Sequence, residues 1–305
     1  MKKTVKFLSL ALSALLISVF AFTGCGKGGD DSTEVPKAYP EEKYTVTEDY
    51  IATNAANDQV FSVSGVTADP SSPLKGKTFY WLGSSVTYGS ASNGQSVADY
   101  LAALTGCVCK KDAVSGTTIF DDGKTAATGT DSYTRRLVNS KVFDKTEKID
   151  GFICQISTND ARNDRLNKRG VIKSDKYYAS TDFDRATTLG GIEFIITYVT
   201  ETWGCPVYFY SGSYFGDTGT RKSTNPTGTE YAKLVDQVIE IADKYNQFMD
   251  FKVGVIDLYN DADFNAVVSD KYYKWVMSDA IHPKAAGYLQ WWTPYFESYL
   301  VYDLT

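Results

Sequence analysis

The chain has 305 residues, of which 43% are hydrophobic and 22% charged, a balance that excludes a wholly disordered or collagen-like protein. Lys and Arg number 31 against 37 Asp and Glu, a net charge of −6. With no block of basic residues, the chain lacks the electrostatic footprint of a nucleic-acid binder, and a polyanionic substrate is disfavoured for the same reason.

Residues 1–25 read as a segment outside the fold. Lys2, Lys3 and Lys6 form a basic start, and Phe7 to Phe22 is apolar apart from its Ser residues, the pattern of a secretion signal. It ends in Phe22-Thr23-Gly24-Cys25, which resembles a bacterial lipobox. That resemblance implies lipidation at Cys25, a lipid anchor in the membrane and a protein on the extracellular face of the cell. Two alternatives stand beside it: an ordinary signal cut near Ala21, and an uncleaved apolar anchor, which at about 16 residues is short for a spanning helix. Residues 26–42 are Gly-, Asp-, Ser-, Pro- and Glu-rich and read as a flexible tether. Residues 43–76 are expected to form an extension packed on the main domain. There Tyr44-Thr45-Val46-Thr47 and Val60-Phe61-Ser62-Val63 alternate like short exposed strands, and Asp69-Pro70-Ser71-Ser72-Pro73 marks a turn.

From residue 77 to 305 strand and helix patterns alternate. Thr78 to Leu82 predicts a buried strand, and Val97, Tyr100, Leu101 and Leu104 lie at helical spacing. Val108 to Val114 gives a weaker strand, Tyr133 to Val142 a short helix, and Phe152 to Ile156 a third strand. Leu189, Ile192, Ile196 and Val199 line one helix face, followed by a strand at Val207 to Tyr210. Leu234, Val238, Ile241 and Tyr245 line another, followed by a strand at Val253 to Leu258. A last helix starts near Lys284 and is expected to break or kink at Pro294. Such alternation means a parallel sheet with helices on both faces. Two connections, 157–184 and 212–228, are long and follow strand ends, where open α/β sheets bind ligands.

His282 is the only histidine, so any imidazole base must be this residue and a site with two His ligands is excluded. Asp279 stands three residues before it, close enough for one turn to bring the carboxylate to the ring. The bland alternative is a surface His before Pro283. Ser84 and Ser85 follow the first strand, between Gly83 and Gly89, where a tight turn would lift a hydroxyl into the ligand crevice. No Gly-x-Ser-x-Gly elbow occurs, which argues against the α/β-hydrolase layout. Of Cys107, Cys109, Cys154 and Cys205, the last three sit in or beside apolar runs, and the four read as unpaired buried thiols rather than a zinc site or a disulfide.

Four segments together resemble the SGNH (GDSL-type) hydrolases. They are Gly83-Ser84-Ser85-Val86-Thr87-Tyr88-Gly89, Asp112-Ala113-Val114-Ser115-Gly116-Thr117-Thr118, Ile156-Ser157-Thr158-Asn159-Asp160 and Ser278-Asp279-Ala280-Ile281-His282-Pro283. The resemblance implies a flavodoxin-like three-layer sandwich around a five-stranded parallel sheet. It implies a catalytic triad of Ser85, Asp279 and His282 and an oxyanion hole from Ser85, Gly116 and Asn159, with no metal and no cofactor. Two positions depart from the family pattern: Ser84 stands for its usual Asp, and Ser157 for its usual Gly. They bear on the nucleophile loop and the acyl pocket.

The expected function is a serine esterase acting on small acyl groups, acetyl first, on extracellular carbohydrate. Tyr88, Tyr214, Phe215 and Trp275 are candidate aromatic walls for a sugar or an acyl chain, with packing in the core or rim as the alternative. The charges of the 157–184 loop, Arg162, Asp164, Arg165, Lys168 and Arg169, read as a solvated face. A lipid or lysophospholipid esterase, an acyltransferase and a catalytically weak glycan-binding relative are the competing classes. Because the base must be neutral, activity is expected to fall on acidification below about pH 6.5.

Overall fold

The computed structural model describes residues 54–124, 131–173 and 175–305. Its centre is a five-stranded, all-parallel sheet: β1 (Thr78–Gly83), β2 (Val108–Ala113), β3 (Gly151–Gln155), β4 (Val207–Tyr210) and β5 (Val253–Ile256), in the spatial order β2-β1-β3-β4-β5. This is the flavodoxin-like order, and the chain reverses its direction across the sheet between β1 and β3.

Alternation of side chains along the strands divides the interior into two layers. Tyr80, Leu82, Phe152, Cys154, Val207 and Phe209 face one layer, with the buried faces of α4 (Tyr133–Asn139), α5 (Thr188–Trp203) and α6 (Gly228–Tyr245). Phe79, Trp81, Ile153, Tyr208, Tyr210 and Ile256 face the other, packed by α3 (Val97–Thr105) and the C-terminal helical run. β1, β3 and β4 are covered on both sides and read as continuous apolar runs. β2, at the edge, is half-buried and carries Lys110, Lys111 and Asp112, which is why its pattern is weaker.

The last run departs from a plain helix where Pro294 requires it. It begins with α9 (Ala285–Gly287), passes through a π turn at Tyr288–Trp292, and continues as α10 (Thr293–Leu304). The proline ring would strike the carbonyl four residues earlier and offers no N–H; the wider turn just before it takes up that conflict. The break expected at Pro294 is thus a change of helical pitch within a continuous run.

The extension differs from its sequence pattern. Residues 60–63 are not a strand: α1 (Asn54–Val60) ends there and a 3-10 turn covers Val63–Gly65. Asn57 is fully buried and donates to Trp275 O at 3.1 Å while accepting from Ala286 N at 2.8 Å. Phe61 lies edge-on to Trp275, and Leu74 is buried in the same layer. The pattern at 44–47, the tether and Cys25 lie outside the described residues.

Among the described residues the four cysteines are free, with the Sγ atoms of Cys107 and Cys109 3.6 Å apart. No helix there is long and apolar enough to cross a membrane.

Candidate active site

The C-terminal ends of the strands carry the segments that the sequence singles out. β1 stops at Gly83, and the chain turns at once into the short helix α2 (Ser85–Tyr88). Both flanking glycines are obligatory. A Cβ on Gly83 would collide with Thr87 Oγ1, and Gly89 is left-handed, at φ 85°, against the backbone of Gln95. The turn places Ser85 at the crevice, largely buried, with its Oγ 2.8 Å from His282 Nε2.

Beyond α7 (Ala262–Ala266), His282 comes from a loop after α8 (Tyr273–Val276). Ser278 N donates to His282 O at 2.9 Å, which closes the loop. Inside it Asp279 accepts from the N–H groups of Ile281 and His282, both at 2.8 Å, and from the imidazole Nδ1, at 2.8 Å to Oδ2 and 3.0 Å to Oδ1. An ionised carboxylate only accepts, so Nδ1 carries the ring proton and Nε2 presents its lone pair to Ser85. Burial alone would raise the Asp279 carboxyl. The hydrogen bond and charge of His282 and the two N–H donors outweigh that and hold it below the usual carboxylate value. Ser85, Asp279 and His282 therefore form one hydrogen-bonded relay, and the Asp279 side chain remains 58% exposed.

Gly116 lies in the turn after β2, left-handed at φ 81° with open space where a Cβ would be. Asn159 lies in the 3-10 turn Thr158–Ala161 after β3. Its Nδ2 donates to Thr117 O at 3.0 Å, which uses one of two N–H bonds. The Ser157 hydroxyl donates to the same carbonyl at 3.2 Å and accepts from Asn159 N at 3.2 Å. The Ser157 hydroxyl thus joins the Thr117 and Asn159 segments. Asp160, fully buried, accepts from Ile119 N at 2.8 Å, Phe120 N at 3.4 Å and Thr188 Oγ1 at 3.0 Å. Burial pushes its carboxyl up to about 6.

Two supporting residues carry no sequence signal. Gln155, the last residue of β3, directs Oε1 at the turn that carries Ser84 to Thr87. That oxygen accepts from Ser84 N at 3.0 Å, Thr87 N at 3.1 Å and Thr87 Oγ1 at 2.8 Å, with Ser84 Oγ at 3.3 Å. Ser84 makes no side-chain cap of its own, so Gln155 satisfies the first turn of α2 from a neighbouring strand, the service an N-cap side chain normally gives. Arg136, on α4 and only 7% exposed, ion-pairs with Asp112. Its Nη1 donates to Asp112 O at 2.8 Å, and its Nη2 to Gly83 O at 2.7 Å and Thr117 Oγ1 at 3.3 Å. One guanidinium thereby joins the ends of β1 and β2 to the Gly116 turn.

Of the candidate aromatic walls, Tyr88 and Tyr214 are exposed, whereas Phe215 and Trp275 are buried in the two layers. The 157–184 loop is solvated only in part. Arg162 pairs with Asp164, but Arg169 is drawn in, donating to Gln237 Oε1 at 3.1 Å and lying 3.9 Å from Glu230, and Arg165 donates to Asn159 O at 3.2 Å.

The sequence profile of the GDSL-like lipase/acylhydrolase family matches residues 77–292. No curated protein matches. Among solved structures, one crystal structure shares the fold at TM-score 0.56, and a protein from Lactobacillus plantarum does so at 0.51. Each is 22% identical, over 76% of this chain and 99% of the other. A carbohydrate acetylesterase family member from Sinorhizobium meliloti has TM-score 0.50 and 15% identity, over 75% of this chain and 99% of that chain. Matched over more than two-thirds of its length, on the part that holds the Ser85–His282–Asp279 relay, this chain belongs to the GDSL-like lipase/acylhydrolase family.

Proposed function

We propose that the protein is a serine esterase that removes small acyl groups, acetyl first, from extracellular carbohydrate through an acyl-enzyme on Ser85. The observation that carries this reading is the unbroken relay from Ser85 Oγ through His282 to Asp279, with contacts of 2.8 Å on either side of the ring.

In the proposed reaction His282 Nε2 takes the Ser85 proton as Oγ bonds to the ester carbonyl carbon. The carbonyl π electrons move onto oxygen, where the N–H groups of Ser85 and Gly116 and the free N–H of Asn159 receive the charge. Each such donor is worth about 3–4 kcal/mol, because the charge exists only in the transition state. Collapse expels the alcohol, which takes its proton from His282. Water then attacks the acyl-Ser85 carbonyl with His282 again as base. Breaking the acyl–Oγ bond releases the acid and restores the hydroxyl. Asp279 holds the tautomer and stabilises the imidazolium throughout.

The small acyl group is supported by the side chains exposed at the strand ends. The large apolar side chains exposed in the nucleophile segment and in the loop after β4 are both tyrosines, Tyr88 and Tyr214. Rings with a hydroxyl tip suit a hydrated sugar better than a long acyl chain. The shared fold with an acetylesterase family member points the same way. Anchoring at Cys25 on the extracellular face remains part of the proposal and rests on the lipobox-like tetrapeptide.

The test is acetate release from a panel of acetylated glycans beside a chain-length series of nitrophenyl esters. The proposal expects glycan deacetylation and a preference for the shortest acyl group. A rate rising with chain length and no glycan activity would instead make it a lipid esterase. Hydrolysis of no ester would make it a glycan-binding relative.

A further inference from the structure

A cleft of about 450 Å³ opens between the loops that follow β4 and β5, walled by Tyr214, Asp217, Thr229, Tyr259 and Asn260. It contains no residue of the relay or of the oxyanion segments. It nevertheless lies on the same edge of the sheet, since the strand ends run Gly116 side, Ser85, Asn159, Tyr214, Tyr259 across the order β2-β1-β3-β4-β5. Two strand spacings separate β4 from β1, about 10 Å. A group in the cleft therefore belongs to the same substrate as the reacting ester only when that substrate extends over about 10 Å, as linked sugar units do.

We propose that this cleft is a subsite for a neutral, hydroxyl-rich sugar unit of a glycan chain, remote from the unit that bears the ester. The inference rests on the carbohydrate reading above and goes further by assigning the residues that sense chain length. Three observations carry it.

The first is the platform. Tyr214 is 46% exposed, yet its ring is braced against Tyr259 at a centroid distance of 5.5 Å. A fixed aromatic face of this kind packs against the C–H face of a pyranose ring. The second is the polar rim. Asp217 Oδ1 accepts from Gly228 N at 2.6 Å and Thr229 N at 3.3 Å, and Oδ2 accepts from Thr229 Oγ1 at 2.6 Å. A carboxylate has about four acceptor sites, so it is both held in place and left with capacity for a ligand hydroxyl. Asn260, exposed, is held through Nδ2 by Asp257 Oδ2 at 2.8 Å. No Lys or Arg lines the cleft. The fixed Asp217 charge therefore repels phosphate, sulfate and uronate groups and leaves neutral hydroxyls as the matching chemistry.

The third is preorganisation. Tyr259 OH donates to Phe215 O at 2.5 Å and lies 3.0 Å from Gly228 O, while Tyr214 N donates to Asn265 Oδ1 at 2.9 Å. Arg221 ties the same loop to Asn265 O at 3.2 Å and Asp270 at 3.1 Å. A loop ordered before binding loses little entropy when the ligand arrives. The frame also reaches the relay. The Arg221 guanidinium lies over the Tyr273 ring at 4.9 Å, and Tyr273 OH donates at 3.3 Å to Ala280 O, between Asp279 and His282.

The experiment uses partially acetylated xylo-oligosaccharides of increasing length with nitrophenyl acetate as reference, read as the ratio of the two kcat/KM values. The folded fraction cancels in that ratio. For the parent protein the ratio should rise with length until the cleft is reached. Tyr214→Ala should remove the rise, lowering the ratio for long oligomers by about three- to tenfold, and Tyr214→Phe, which keeps the ring, should retain it. A length-independent ratio, or a rise that survives Tyr214→Ala, overturns the subsite and leaves the carbohydrate esterase reading standing. If no glycan releases acetate, whether or not nitrophenyl acetate is cleaved, the carbohydrate esterase reading fails instead. The cleft is then decided by calorimetric titration with unacetylated xylohexaose: weaker binding by Tyr214→Ala supports it, and equal or absent binding overturns it.

Discussion

Replacing Gln155 with Met should weaken both the fold and the catalytic turn, through groups that never meet substrate. Met has nearly the same volume, so the change removes an acceptor from a fully packed position without opening a cavity. Gln155 Oε1 serves the amides of Ser84 and Thr87 and the Thr87 hydroxyl. That hydroxyl has a second partner, Tyr210 OH at 2.6 Å, and can turn to it. The two amides have no such freedom. A buried donor left unpaired costs about 1–3 kcal/mol, so two should cost about 2–6 kcal/mol, reduced where water enters the crevice. Urea unfolding followed by Trp fluorescence should show a lower midpoint at unchanged slope. In the same protein kcat on nitrophenyl acetate should fall further than KM rises, because Ser85 is the first residue of the turn that loses its cap and small misplacements of a nucleophile are costly. A variant within about 0.5 kcal/mol of the parent, where ordinary surface substitutions fall, would refute the assignment of the cap to Gln155.

How far such a residue could be read beforehand depends on the kind of contact that gives it meaning. The sheet was legible because β1, β3, β4 and β5 are unbroken apolar runs and because the faces of α5 and α6 repeat at helical spacing. The relay was legible because a chain with one His admits one imidazole, and Asp279 reaches it within a single turn. Gln155 and Arg136 were not, since one acts across the β1–β3 register and the other across the ends of β1 and β2. In the sequence they are a polar strand end and one of two adjacent arginines on a short helix. Val60 to Val63 misled for the opposite reason. Four residues are too few to separate a period of 2 from 3.6, and Phe61 and Val63 reach the core from a helix end. Trp275 stands four residues before Asp279, yet it packs inward against Phe61, because proximity in sequence to a catalytic loop says nothing about which side of the chain a ring takes.

The other expectations concern the site and its ionisable neighbours. Ser85→Ala and His282→Ala should each abolish esterase turnover and fluorophosphonate labelling, and the double variant should be little worse than either, since the pair acts as a unit. Near-native activity of Ser85→Ala would end the serine mechanism. Asn159→Ala should lower kcat about 100- to 1000-fold with a modest change in KM; an equal loss in binding alone would remove it from the oxyanion hole. Cys25→Ala should release the protein from membranes, and a mature N-terminus elsewhere than Cys25 by mass spectrometry would exclude the anchor. The last expectation separates two acids that pull stability in opposite directions. Asp279 is held below its ordinary value, so its contribution is present above that value and is lost as pH falls through the lowered one. Asp160 is raised from 3.8 to about 6 by burial. Between those values the folded chain holds a proton that the unfolded chain has released, so this contribution is complete below pH 3.8 and fades as pH rises through about 6. The raised value corresponds to at most about 3 kcal/mol. Asp160→Asn removes the titration, so the unfolding free energy of the variant, measured in urea from pH 4 to 7 and set against that of the parent, should improve steadily up to about pH 6 and then level off. Parallel curves would show that the Asp160 carboxyl keeps its ordinary affinity for protons, and that the hydrogen bonds from Ile119, Phe120 and Thr188 fully offset its burial.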